Sequence, residues 1–146
     1  MKSRVSLGVM LAAALFLVFA PACSSTSTST PAAKLSQIYP LIFPPTTKAQ
    51  CNQCHNNPAN DVGNGKLNMG ADQATAYAAL VGKTSASSKC GGKPMVVPGD
   101  PEGSLFYEKM TAIPPCGGHM PLGGDPLTAE QLDMVRSWIA GGAKND

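Results

Sequence analysis

Cys51-Asn52-Gln53-Cys54-His55, within the stretch AQCNQCHNNPAN, is the segment on which the reading of this chain turns. Two cysteines spaced by two residues and followed at once by a histidine admit three chemistries. A c-type haem is fixed by thioether bonds from both sulfurs to the porphyrin vinyl groups, with the adjoining imidazole on the iron. The spacing suits this, because one helical turn aims both sulfurs at the haem edge while the ring turns beneath it. A redox dithiol calls for a βαβ pattern and a helix N-terminus that lowers a thiol pKa, and no such pattern surrounds the motif. A zinc site needs four ligands, and beside Cys51 and Cys54 the second pair would have to come from the widely separated Cys90 and Cys116, with His119 as a helper. Haem is the favoured reading, with dithiol and zinc as the alternatives.

The rest of the chain supplies the partners. Lys2 and Arg4 precede an apolar run from Val5 to Ala20, which reads as an export signal and is short for a membrane span of about 20 residues. Cys23 sits where a bacterial lipoprotein carries its acylated cysteine, and LVFAPAC resembles a lipobox. The following SSTSTSTPAA is a low-complexity tether unable to bury apolar surface. The expected organisation is a lipoprotein signal peptide over 1–22, a lipidated tether over 23–34 and a folded domain over 35–146. Ser24, rather than an aspartate, follows Cys23 and leans the anchor toward the outer membrane, facing the periplasm.

Lipidation also accounts for the odd number among the five cysteines. Of the four that remain, only a bridge between Cys90 and Cys116 leaves the CxxCH available for a ligand. Such a bridge is compatible with an oxidising compartment, and its loop size implies about 3 kcal/mol of stabilisation. The competing arrangement keeps both as thiols or joins them to Cys51 and Cys54 around zinc.

Gly (15) and Pro (13) are abundant and aromatics make only 5% of 146 residues, so much of the domain is loop and its interior needs a disulfide, a metal or a bulky cofactor. Removal of Lys2 and Arg4 would leave nine basic against nine acidic residues, and the lysines are scattered, so nucleic acid is not an expected partner. Helical spacing predicts an all-α domain. A first helix from Leu35 is cut by Pro40 and stopped by Pro44-Pro45. Thr46 and Thr47 cap a turn leading into the CxxCH. A helix runs from about Asp72 to Val81, ended by Gly82. Another runs from Pro101 to near Met110 with Asp100 as N-cap, after an extended Met95-Val96-Val97. The last carries a capping box at Thr128 to Gln131, apolar Leu132, Val135, Trp138 and Ile139, and a Gly141-Gly142 stop.

A second axial ligand would come from Met69, Met95, Met110, Met120, Met134 or His119. Met110 and Met134 fall on helices and read as core, and Met95 sits in an apolar run. Met120, in PPCGGHMPLGGDP, is flanked by glycines and prolines that free the backbone to deliver one side chain to a flat cofactor. His119, its neighbour, is the alternative.

CNQCH, LNM, AYAALVG, VVPGDPEGSLFYEKM and GGHMPLGGDPLTAEQLDMVRSWIAGGA together resemble the small class I cytochrome c-like domains of planctomycete and myxobacterial secreted proteins, over about residues 39–143. The resemblance implies a cytochrome c fold of about four to five short helices with long loops around one covalent haem c. It places Cys51 and Cys54 on the thioethers, His55 as proximal ligand and Met120 as distal ligand. It also implies a first helix crossing the last, with Ile38 and Tyr39 toward Val135 and Trp138, and a haem edge open to redox partner proteins. With the CxxCH, the loop methionine, no acid/base constellation and the lipobox at Cys23, the expected function is that of a non-enzymatic, monomeric, lipid-anchored one-electron carrier. A haem-based gas sensor or small haem enzyme with a labile distal ligand is one alternative, and an envelope protein whose haem only completes the fold is another.

Overall fold

A computed structural model of the chain describes residues 31–56 and 66–146. The signal segment 1–22, Cys23, the tether to residue 30 and the Gly/Asn loop over 57–65 lie outside the described residues. The elements are α1 (Leu35–Ile42), α2 (Cys51–Cys54), α3 (Gln73–Leu80), α4 (Leu105–Glu108) and α5 (Ala129–Ala140). Among the described residues no strand forms, and β-type pairing is confined to isolated bridges such as Val81 with Val96. The domain is all-α.

α1 buries Leu35, Ile38 and Ile42 at helical spacing. Its first turn is capped from two sides. Gln37 Oε1 accepts the Lys34 N–H at 2.9 Å, while Asp146 takes the Ser36 N–H on its backbone oxygen at 2.9 Å and the Leu35 N–H on Oδ1 at 3.3 Å. Pro40 does not cut the helix, contrary to the sequence expectation. It lies on the exposed face, so the bond it cannot donate is lost at the solvent side while the buried residues before and after it hold the helix to the core.

α5 begins at a capping box in which Thr128 Oγ1 accepts from Gln131 N at 3.2 Å and Gln131 Oε1 accepts from Thr128 N at 3.0 Å. It buries Val135, Trp138 and Ile139 and packs against α1. Trp138 Nε1 donates to Lys144 O at 2.7 Å, and Ala33 N donates to Ser137 Oγ at 3.1 Å, so both ends of the described chain fold back onto α5. α3 packs against α1 through its buried Ala76 and Leu80, and the chain leaves it through Gly82 at φ +67°.

α4 is shorter than its sequence suggested. Asp100 caps a turn rather than a helix, accepting from Gly103 N at 2.9 Å, and the helix starts after Ser104. The reason is Ser104 itself: fully buried, its hydroxyl donates to Asp100 O at 2.7 Å and accepts from Val97 N at 2.9 Å. That side chain ties the turn to the extended 95–97 segment, and Ser104 itself is extended at φ −100°, ψ 111°, so the helix begins only after it. Phe106 then stacks on Phe43 (5.8 Å between ring centroids), which stacks on Tyr39 (5.0 Å), joining α4 to α1.

Replacement of Ser104 by Ala strands the Val97 N–H and is expected to lower unfolding free energy by about 1–3 kcal/mol. Urea denaturation checks this, and an unchanged midpoint would refute the role assigned to the hydroxyl. At the N-cap of α3, hydrogen bonds from Thr75 N (2.9 Å) and Thr75 Oγ1 (2.8 Å) hold the Asp72 carboxyl below its ordinary pKa. A folded-state pKa below the unfolded value stabilises above that value and is lost as pH falls through the folded one. The stability lead of the wild type over Asp72→Asn should therefore shrink between about pH 5 and about pH 3.

Candidate functional site

α2 is a single turn, too short to hold its own orientation. Its start is fixed by α1: Asn52 N donates to Phe43 O at 2.8 Å and Asn52 Nδ2 donates to Tyr39 Oη at 3.2 Å. Gln50, in the left-handed region at φ 51°, turns the chain into the helix without a side-chain cap. Thr47 works one step earlier than the sequence suggested, donating to Pro44 O at 2.8 Å and accepting the Gln50 N–H at 3.0 Å. Thr46 makes no cap for α2, whose N-cap is Gln50. His55 closes the turn with its N–H on Cys51 O at 3.1 Å, and its own carbonyl accepts the Met69 N–H.

Asn52 faces the core, only 2% exposed, and the other motif residues turn the opposite way. Cys51, Cys54 and His55 line a cavity of about 1160 Å³, somewhat above the roughly 300–1,000 Å³ of ordinary small-molecule pockets. Leu67, Ala79, Met95, Leu105 and Phe106 give it apolar walls, and residues 83–89 give it a polar one carrying Lys83 and Lys89. Lys66 and Lys109 add further cationic groups, and no Asp or Glu is among the described residues of the wall.

Met120 lines the same cavity, whereas neighbouring His119 does not. Met69, Met95 and Met110 border it from the buried core. Met134 packs partly buried against the core, away from the wall. The structure thus brings together Cys51, Cys54, His55 and Met120 from elements far apart in sequence.

Cys90 and Cys116 form a disulfide with Cα atoms 5.6 Å apart, joining the loop before the 95–97 segment to the loop that carries Met120. Both sulfurs are thereby withdrawn from metal ligation, and among the described residues no three His, Cys, Asp or Glu side chains converge as a zinc site would require. Cys51 and Cys54 remain thiols. Burial, reinforced by nearby Cys54, pushes the Cys51 thiol up to about 12.

Sequence reasoning overlooked Lys109. It follows α4, donates through Nζ to Cys116 O at 2.9 Å and to Gly118 O, and accepts the Met120 N–H on its carbonyl at 2.8 Å. Burial draws its ammonium below the ordinary lysine pKa. A single lysine after a short helix reads as a solvated residue, and nothing in its neighbours signals otherwise. Asn52 was equally silent, being one of the two unspecified positions of the motif.

The disulfide encloses a sequence separation of 26 residues, for which chain entropy gives about 3 kcal/mol. The Cys90→Ser/Cys116→Ser double variant is expected to lose stability on that order in urea denaturation while keeping its helical circular dichroism. No family model, curated protein or solved structure matches this chain.

Proposed function

We propose that residues 35–146 form a class I cytochrome c-like domain carrying one covalent haem c, and that the protein is a one-electron carrier tethered to the cell envelope by lipid at Cys23. One observation carries the reading: Cys51, Cys54, His55 and Met120 line a single cavity of about 1160 Å³. The mostly apolar wall suits a porphyrin face, and Lys66, Lys83, Lys89 and Lys109 suit its carboxylates.

When bound, the haem supplies an iron centre that gains and loses one electron. The chain's own residues do the rest. Cys51 and Cys54 would hold the macrocycle through thioethers, and His55, immediately after the second cysteine, would bind the iron. Met120 would bind it as well, a thioether ligand raising the potential relative to a second imidazole. Phe106, Leu105 and Met95 keep water from the apolar side. A carrier of this kind needs no acid or base side chain in its site, and its partners are redox proteins that reach the haem edge.

Expression with haem-attachment machinery tests the proposal. The pyridine haemochrome of purified protein should give one covalent haem per chain, and Cys51→Ser/Cys54→Ser should give none. Absence of covalent haem in the matured wild type would end the reading. Met120→Ala should keep its haem, lose the methionine-to-iron charge-transfer band of the ferric form and admit carbon monoxide rapidly to the ferrous form. Fast carbon monoxide binding by the wild type would instead favour a sensor or haem enzyme.

A further inference from the structure

The Met120 loop has little internal means of holding its shape. Gly117 sits at φ +61° and Gly123 at φ +79°, α4 and α5 flank the loop without extending into it, and His119 and Met120 are only partly buried. Lys109 makes contact with it three times. Its carbonyl accepts the Met120 N–H at 2.8 Å, and its ammonium donates to Cys116 O at 2.9 Å and to Gly118 O. The lysine is itself anchored, because its own N–H donates to Leu105 O at 2.9 Å and so continues α4. Close approach at Gly117 completes the arrangement: a Cβ there would lie 3.2 Å from Lys109 Nζ.

We propose that Lys109 is the positioning residue of the Met120 loop, using its ammonium as a cross-brace over two backbone carbonyls to keep the Met120 thioether at the cavity wall. An ammonium is suited to this because it offers three donors and no acceptor, and ammonium-to-carbonyl bonds are stronger than neutral ones. The disulfide fixes Cys116, the near end of the loop, but nothing covalent holds residues 117–120. Lys109 spans that gap. The inference deepens the haem reading by naming what controls the distal ligand, and it rests on that reading only for its spectroscopic consequence.

Lys109→Met keeps the apolar stem and removes the donors, and Lys93→Met, at an exposed site off the cavity wall, controls for lost charge. In holoprotein, Lys109→Met should retain one covalent haem, weaken the methionine-to-iron charge-transfer band and bind carbon monoxide about tenfold faster or more. Lys93→Met should behave as wild type. Amide hydrogen exchange over residues 117–120 should quicken by a similar factor in Lys109→Met, with α5 unchanged. If Lys109→Met keeps both the wild-type band and the wild-type exchange, the positioning role is refuted while the haem reading stands. If the wild type carries no haem, that reading falls and hydrogen exchange alone decides the brace. Should Lys109→Met fail to fold, Lys109→Leu, which also removes the donors on a shorter stem, takes its place with the same readouts.

Discussion

The buried docking of Asn52 against the end of α1 is the constraint from which the rest of the site follows. A one-turn helix has no intrinsic direction, and α2 takes its direction from the Phe43 carbonyl and the Tyr39 hydroxyl. With Asn52 turned into the core, Cys51, Cys54 and His55 face the cavity. The dependence runs further back. Tyr39 and Phe43 are placed by α1, α1 is pinned at its start by Asp146, and Asp146 stands where it does because Trp138 and Ser137 of α5 gather the chain ends. The motif is local in sequence, but its orientation is a property of the α1 and α5 pair.

What could be read from the sequence was whatever depends on neighbours a few residues away. The Thr128 to Gln131 box places α5 because it is closed by bonds within four residues. Helical spacing likewise gave the buried Leu35, Ile38 and Ile42. The start of α4 was not legible, since Asp100-Pro101 is an equally good opening for a helix or for a turn. The choice is made by Ser104 reaching Val97, a contact that depends on how the 95–97 segment lies. Pro40 was misread for a related reason: a proline breaks a helix only if the lost bond and ring clash outweigh burial of the residues around it, and burial cannot be read locally.

The candidate site divides along the same line. The residues that sequence type and spacing single out, Cys51, Cys54, His55 and Met120, line one cavity. The residues that orient them could not be named from the sequence, because an asparagine inside a motif and a lysine after a helix look alike whether buried and bonded or solvated. Asn52 and Lys109 each act through bonds to backbone atoms, and a backbone acceptor leaves no trace in residue identity. The cavity wall adds a third case: Met69, Met95 and Met110 border the space as Met120 does, yet they belong to the buried core. Among the methionines of the wall, Met120 differs in being partly exposed, whereas Met69, Met95 and Met110 are buried.

The two ends of the site are held by different kinds of force. Cys51, Cys54 and His55 stand on backbone bonds and a buried aromatic stack, whose disruption would expose the core itself. Met120 stands on a loop fastened by the disulfide and Lys109 and, at Asp125, by Lys48, all outside the α1 and α5 packing. Local opening draws on the segments with the least buried surface, so residues 117–124 can loosen at a small fraction of the free energy needed to disturb α2. For a cofactor held from both ends, variation in the fastening of that loop would alter the Met120 contact long before it altered attachment at the cysteines. On the proposed haem reading, ligand control and cofactor retention would therefore be separable, the first lying at the junction of Lys109, Cys116 and Gly118 and the second at the junction of Asn52, Phe43 and Tyr39.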